Sequence, residues 1–160
     1  MSKTVKAIPD DYQGATPYLT VKGAASAIDF YKKAFGAVEI VRLDPGGHVI
    51  HAELRISRAP IMLSEEMPDY GALSPASIGG SGSSSVIFVE DVDAFVARAV
   101  AAGCTLQMPV ADQFWGDRMG ALKDPFGHNW MFSTHLEDVT PEQLPARAAA
   151  AMGKGQAPCN

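Results

Sequence analysis

The chain has 160 residues, a net charge of −5 and a hydrophobic fraction of 47%. That is enough for one domain, or two small intimate modules, with a real core. It excludes the basic stripe of a nucleic-acid binder, and no run approaches the length of a transmembrane helix. Two cysteines, Cys104 and Cys159, are too few for a disulfide scaffold. Met1 to Asp10 lacks the apolar segment of a signal peptide. The chain therefore reads as reduced, cytoplasmic and not bound to membrane.

Residues 1–15 are polar and irregular and read as a flexible arm. A first module is expected over 16–66. Thr16 to Lys22 alternates as a strand. Ala24, Ala27, Ile28, Tyr31 and Phe35 recur at helical spacing, and Gly36 supplies the stop. Val38 to Leu43 is a strand, and Pro45-Gly46-Gly47 is a turn. His48 to Ile56 alternates strictly, with Ile50, Ala52, Leu54 and Ile56 on one face and His51, Glu53 and Arg55 on the other. Pro60 to Ser64 closes the unit as β-α-β-β-β. Residues 67–84 are rich in Pro, Gly and Ser and form a connector, either a lid or a linker.

The same order returns over 85–139. Ser85 to Val89 is a strand. Asp91 is placed to cap a helix through Val92, Phe95, Val96 and Ala99, which Gly103 ends. Aligning Gly36 with Gly103 sets Leu19 on Val86 and Val21 on Phe88, an internal repeat in pattern. Thr105 to Met108 is a strand. Gln113 to His135 is a hairpin around Asp124-Pro125-Phe126-Gly127, whose residues suit successive turn positions. Pairing Asp124 with Gly127 puts Arg118, Gly120, Asn129, Met131, Ser133 and His135 on one face, and Trp115, Met119, Ala121, Trp130 and Phe132 on the other. A one-residue slip would exchange the faces. In the last stretch, 140–160, Thr140 and Gln143 suit a capping box. Pro145 breaks that helix or begins another, and Gly153 to Asn160 reads as a disordered tail.

Two motifs carry a resemblance: Trp115-Gly116-Asp117-Arg118, and Asp124-Pro125-Phe126-Gly127-His128. They resemble the last hairpin of the glyoxalase/bleomycin-resistance/dioxygenase (vicinal oxygen chelate) superfamily, nearest its PhnB-like branch, over about Pro17 to Val139. The resemblance implies an α+β fold. It would have two β-α-β-β-β modules, eight strands forming a curled cleft, and here a C-terminal helix on the single domain over 16–139. Members of the superfamily commonly build the cleft across modules or across a dimer, so a homodimer is expected.

The superfamily's enzymes hold a divalent metal at four inward strand positions. These fall on Thr16, Met62, Ser85 and Met131, and none is an imidazole or a carboxylate. The resemblance therefore implies no metal and no cofactor. It argues against glyoxalase I-type isomerisation and ring-cleaving dioxygenation. The leading expectation is metal-independent binding of a small organic molecule, as resistance-type members do. Tyr18, His51, Glu53 and Met62 would line the cleft from the first module, and Arg118, Asn129, Met131 and His135 from the second. The alternative is a lyase, isomerase or dioxygenase whose site has moved to His51 and Glu53. It would use acid/base chemistry, or a metal with His135 as a third ligand; a hydrogen-bonded polar cluster is the bland reading of the same residues. A regulatory module is a further alternative. Cys104, just after a helix-ending glycine, reads as a small core residue rather than a nucleophile.

Overall fold

The computed structural model describes residues 5–12 and 14–153. Module one runs β1 (Tyr18–Val21), α1 (Ala24–Phe35), β2 (Val38–Leu43), β3 (His51–Ile56) and β4 (Ala59–Glu65). The connector holds a short helix α2 (Pro75–Ile78). Module two runs β5 (Ser84–Phe88), α3 (Val92–Ala102), β6 (Thr105–Asp112), β7 (Asp117–Lys123) and β8 (Asn129–His135), and α4 (Leu144–Gly153) follows. The strands form two four-stranded sheets, ordered β1-β4-β3-β2 and β5-β8-β7-β6. In each, the first strand lies parallel to the last. This is the α+β arrangement of two β-α-β-β-β modules with a C-terminal helix. No helix among the described residues is long and apolar enough to cross a membrane.

Each helix covers one face of its own sheet, and each is fastened by a side chain from the last strand of its module. Glu65 accepts the Gly23 and Ala24 amides, both at 2.7 Å, and so satisfies the start of α1. Thr134 does the same for α3, accepting from the Val92 amide at 3.0 Å and donating to the Val89 carbonyl at 2.9 Å. Asp91 caps α3 through the Ala94 amide. The two helices then pack on each other. Phe35 of α1 stacks on Phe95 of α3 and meets Trp130 and Phe132 of β8, each with ring centres 5.1 Å apart. The core is continuous across both modules.

Two one-residue slips separate the structure from the sequence reading. The first concerns the repeat. Helix α3 has one residue fewer than α1, so an alignment run back from the terminal glycines leaves the strands out of phase. Leu19 is buried like Ile87, whereas Val86 and Phe88 are exposed. Leu19 therefore corresponds to Ile87, and Ser84 rather than Ser85 corresponds to Thr16. Ser85 pairs with Trp130 on the helix-covered face.

The second slip is in the hairpin. The Asp124 to Gly127 turn forms, the Gly127 amide donating to the Asp124 carbonyl at 3.1 Å, but Gly127 bulges and Asp124 pairs with His128, so Lys123 faces Asn129. Asn129, Met131, Ser133 and His135 keep the face expected for them. The β7 residues exchange faces: Met119 and Ala121 lie opposite Ser133 and Met131, while Arg118 and Gly120 lie opposite Thr134 and Phe132. Gly120 is no ligand gap, because a Cβ there would meet Val110 at 2.9 Å and Val96 of α3 at 3.4 Å. Arg118 is held on the helix side by Asp93 of α3, through bonds of 2.6 and 2.8 Å, and by Asp112 of β6 at 2.7 Å.

Smaller corrections have equally local causes. Strand β3 begins at His51, so Val49 is buried and Ile50 is exposed. Strand β6 runs past Pro109 because it is the sheet's edge and shifts register around the proline. Gln143 bonds back to the Thr140 amide, as expected for a capping box, and helix α4 itself starts at Leu144. The connector is docked rather than loose. Glu66 accepts the Ser74 amide, Ser74 and Pro75 are buried, and Pro75 lies against Gly127 of the hairpin turn. Residues 154–160, with Cys159 and most of the expected tail, lie outside the described residues.

One carboxylate joins the modules. Asp124 is buried and accepts four hydrogen bonds: Tyr31 Oη at 2.7 Å, Trp130 Nε1 at 2.9 Å, and the Phe126 and His128 amides at 2.9 Å. Asp124→Asn keeps the volume but turns an amide donor toward groups that are already donors. Buried bonds to a charged acceptor are worth about 1.5–3 kcal/mol each, so a loss of about 3 kcal/mol or more is expected by urea denaturation. Arg118→Met should behave differently. Its partners are solvent-exposed, so melting should fall only slightly and small-molecule affinity should not change. A selective loss of affinity would restore Arg118 to the site.

Candidate functional site

The helix-free faces of the sheets are partly open: Ser64, Met119, Ala121 and Ser133 on them are buried, whereas Tyr18, Val86 and Phe88 are exposed. On sheet one, Tyr18, His51 and Glu53 form a continuous chain of bonds. Tyr18 Oη lies 3.1 Å from His51 Nδ1, and His51 Nε2 lies 3.2 Å from Glu53 Oε1. Tyr12 of the arm donates to the other Glu53 oxygen, and Asp11 pairs with Arg55 at 3.2 Å. The Tyr12 bond and then the His51 bond hold the Glu53 carboxyl below its usual range. Met62 stands in register beside both Tyr18 and Glu53. Four of the expected residues are thus brought together. Tyr12 was missed because nothing in the polar arm marks it.

On the same face of sheet two, Val86 and Phe88 of β5 are exposed, Met131 and His135 of β8 stand beside and beyond them, and Ala121 of β7 is buried. Met131 pairs with both Val86 and Ala121. Asn129 is tied to the connector, its side-chain amide donating to the Ser81 carbonyl at 3.3 Å. His135 lies 2.8 Å from Asp117 and 3.0 Å from Asp138, and these carboxylates, Asp117 first, raise its pKa. Trp115 Nε1 donates to the second Asp117 oxygen at 3.0 Å, so Asp117 orients the ring. A groove of about 710 Å³ runs from the β3–β4 turn at Ser57 to Ala59 along β5, with Val86, Phe88, Thr134 and His135 on its walls. Val86 and Phe88 were missed through the repeat slip; correct phasing from Ala24 and Val92 would have found them.

The donor set does not fit the superfamily's metal. With the repeat rephased, its four positions are Thr16, Met62, Ser84 and Met131, which offer hydroxyls and thioethers to an ion that prefers imidazole and carboxylate. Among the described residues, no three His, Cys, Asp or Glu side chains are grouped to hold a metal ion. The set His51, Glu53 and His135 is not assembled: the first two bond each other on sheet one, and His135 is engaged by Asp117 on sheet two. Cys104 is buried, and burial, followed by the nearby Asp124, pushes its thiol up to about 12. It is not a thiolate nucleophile at neutral pH.

Comparison with known proteins agrees with this architecture. The family model described as the Glyoxalase/Bleomycin resistance protein/Dioxygenase superfamily matches residues 14–132. An uncharacterized protein of Mycobacterium bovis is 42% identical over 144 residues, spanning 88% of this chain and 94% of its own. Among solved structures, TioX from Micromonospora sp. ML1 superposes with a TM-score of 0.63 at 26% identity, covering 80% of this chain and all of that one. The fosfomycin resistance protein FosX from Listeria monocytogenes shares the fold, with a TM-score of 0.57 at 18% identity over 82% of this chain and 96% of that one. The repeated module, the sheet order and these matches together establish that the chain belongs to the Glyoxalase/Bleomycin resistance protein/Dioxygenase superfamily.

Proposed function

We propose that the protein binds a small organic molecule on the helix-free faces of its sheets, without a resident transition metal. One observation carries this reading. Tyr18, Val86 and Phe88 stand 53%, 51% and 54% exposed on strands whose opposite faces bury Leu19, Val21 and Ile87, with Met62 beside Tyr18, Met131 beside Val86 and a small set of polar groups, His51 and Glu53 among them, next to Tyr18. Pockets for small molecules have this composition, and exposed apolar faces of this kind mark binding surfaces. The neighbours that share the fold include a fosfomycin resistance protein, and a resistance role in the cytoplasm is compatible with this reading. In this reading a second copy of the chain closes the cleft, covering Val38, Ile40 and Leu43 of β2, which are also exposed. The PhnB-like likeness of the hairpin motifs is compatible with such a binder.

Elemental analysis and binding measured after exhaustive dialysis against chelator test the reading together. Less than a tenth of an equivalent of Zn, Ni, Fe or Mn is expected, as an order of magnitude. Aromatic ligands should bind equally with and without chelator, and Val86→Asp should weaken them at least about tenfold, or ~1.4 kcal/mol. About one equivalent of metal per chain, lost in His51→Ala, would replace this account with a relocated metal enzyme. Sedimentation should show a dimer, and full affinity in a monomer would remove the second copy from the site.

A further inference from the structure

We propose that Tyr18, His51 and Glu53 form a proton relay that takes a proton from a weakly acidic hydroxyl of the bound molecule, a phenol or enol held as its anion. The inference rests on the binding reading above and adds the chemical class of the ligand. Its ground is the direction of the bonds. Glu53 is an ionised acceptor, already receiving Tyr12 on one oxygen, so the His51 Nε2 position 3.2 Å from the other oxygen carries the hydrogen. In the neutral ring Nδ1 is then the acceptor, and Tyr18 must donate to it across 3.1 Å. The Tyr18 oxygen keeps free lone pairs and lies on the open face. This is the arrangement of a hydroxyl, an imidazole and an orienting carboxylate, with a tyrosine at its outer end.

The step needs no other reagent. A ligand hydroxyl gives its proton to Tyr18 Oη while the Tyr18 proton passes to His51 Nδ1. The ligand is left as an anion beside a re-formed tyrosine hydroxyl, and the imidazolium faces Glu53. Imidazole suits this task because one ring nitrogen can accept a proton while the other donates to a carboxylate. Other groups near His51 are few. The arm brings Asp11 and Tyr12, and β3 brings Arg55, paired with Asp11. Strand β2 sets Leu43 opposite His51 and Val41 opposite Glu53, and β4 sets Met62 opposite Glu53. Those apolar neighbours favour a flat, weakly polar acid over a highly charged one.

The test uses 4-nitrophenol, which changes colour on ionisation, beside its methyl ether 4-nitroanisole, which has no proton to give. The wild-type protein should bind both. The bound phenol should ionise at a pH lower than in solution by about one unit, a tenfold shift in its equilibrium. Tyr18→Phe and His51→Gln, checked for wild-type melting and compared at saturating phenol, should lose the shift whatever their affinity for the ether. Glu53→Gln, a positioning change, should shrink the shift. If both compounds bind and the phenol ionises as it does in water, the relay is wrong and the binding reading stands. If Tyr18→Phe or His51→Gln keeps the full shift, the relay is likewise wrong. If neither compound binds, the binding reading fails and the relay falls with it.

Discussion

The structure depends on a buried carboxylate with all its bonds made. Asp124 collects the hydroxyl of Tyr31 from module one, the indole of Trp130 from module two and two amides of its own turn. A buried carboxylate is tolerable only when such donors surround it. Here the donors come from both halves of the repeat, so satisfying Asp124 also fixes how α1 sits on the β7–β8 hairpin. Burial and the neighbouring carboxylate hold the Tyr31 phenol protonated well above its ordinary range, which keeps it a donor. The aromatic cluster of Phe35, Phe95, Trp130 and Phe132 then fills the seam around this joint.

Once the helices have taken one face of each sheet, only the other faces are left for function. The division is visible within single strands. In β8, Trp130 and Phe132 go inward while Met131 and His135 go outward; in β3, Leu54 goes inward while His51 and Glu53 go outward. The positions that the family resemblance assigns to a metal carry Thr16, Met62, Ser84 and Met131. The polar capacity of the surface is concentrated instead in hydrogen-bonded chains: Tyr18-His51-Glu53-Tyr12 on one sheet and Trp115-Asp117-His135-Asp138 on the other.

Much of this was legible in the residues. The spacing from Ala24 to Phe35 and the glycine after it define α1, Asp91 and Gly103 bracket α3, and the alternation in β3 sorts Leu54 from His51 correctly. The errors were ones of phase. A helix one residue shorter in module two, and strand pairing set one residue beyond the Asp-Pro-Phe-Gly turn, each inverted a strand. The second error put Arg118 on the helix-free face, whereas it bonds Asp93 on the helix side. Period-2 patterns are sensitive to a single residue because every side chain changes face together. The role of Tyr12 was not legible, because a bond over 41 positions to Glu53 leaves no local signal. Nor was the docking of the connector, which depends on Glu66 reaching Ser74 and on Pro75 meeting Gly127.

The central claim is that the chain packs on one face of each sheet and binds on the other. A crystal structure with a bound aromatic ligand tests it directly. The account predicts the ligand against Met62, Val86, Phe88 and Met131, with a polar atom at Tyr18. A ligand lodged instead in the helix-side groove between Gly36, Val89, Phe95 and Arg98, with the open faces bare, would contradict it.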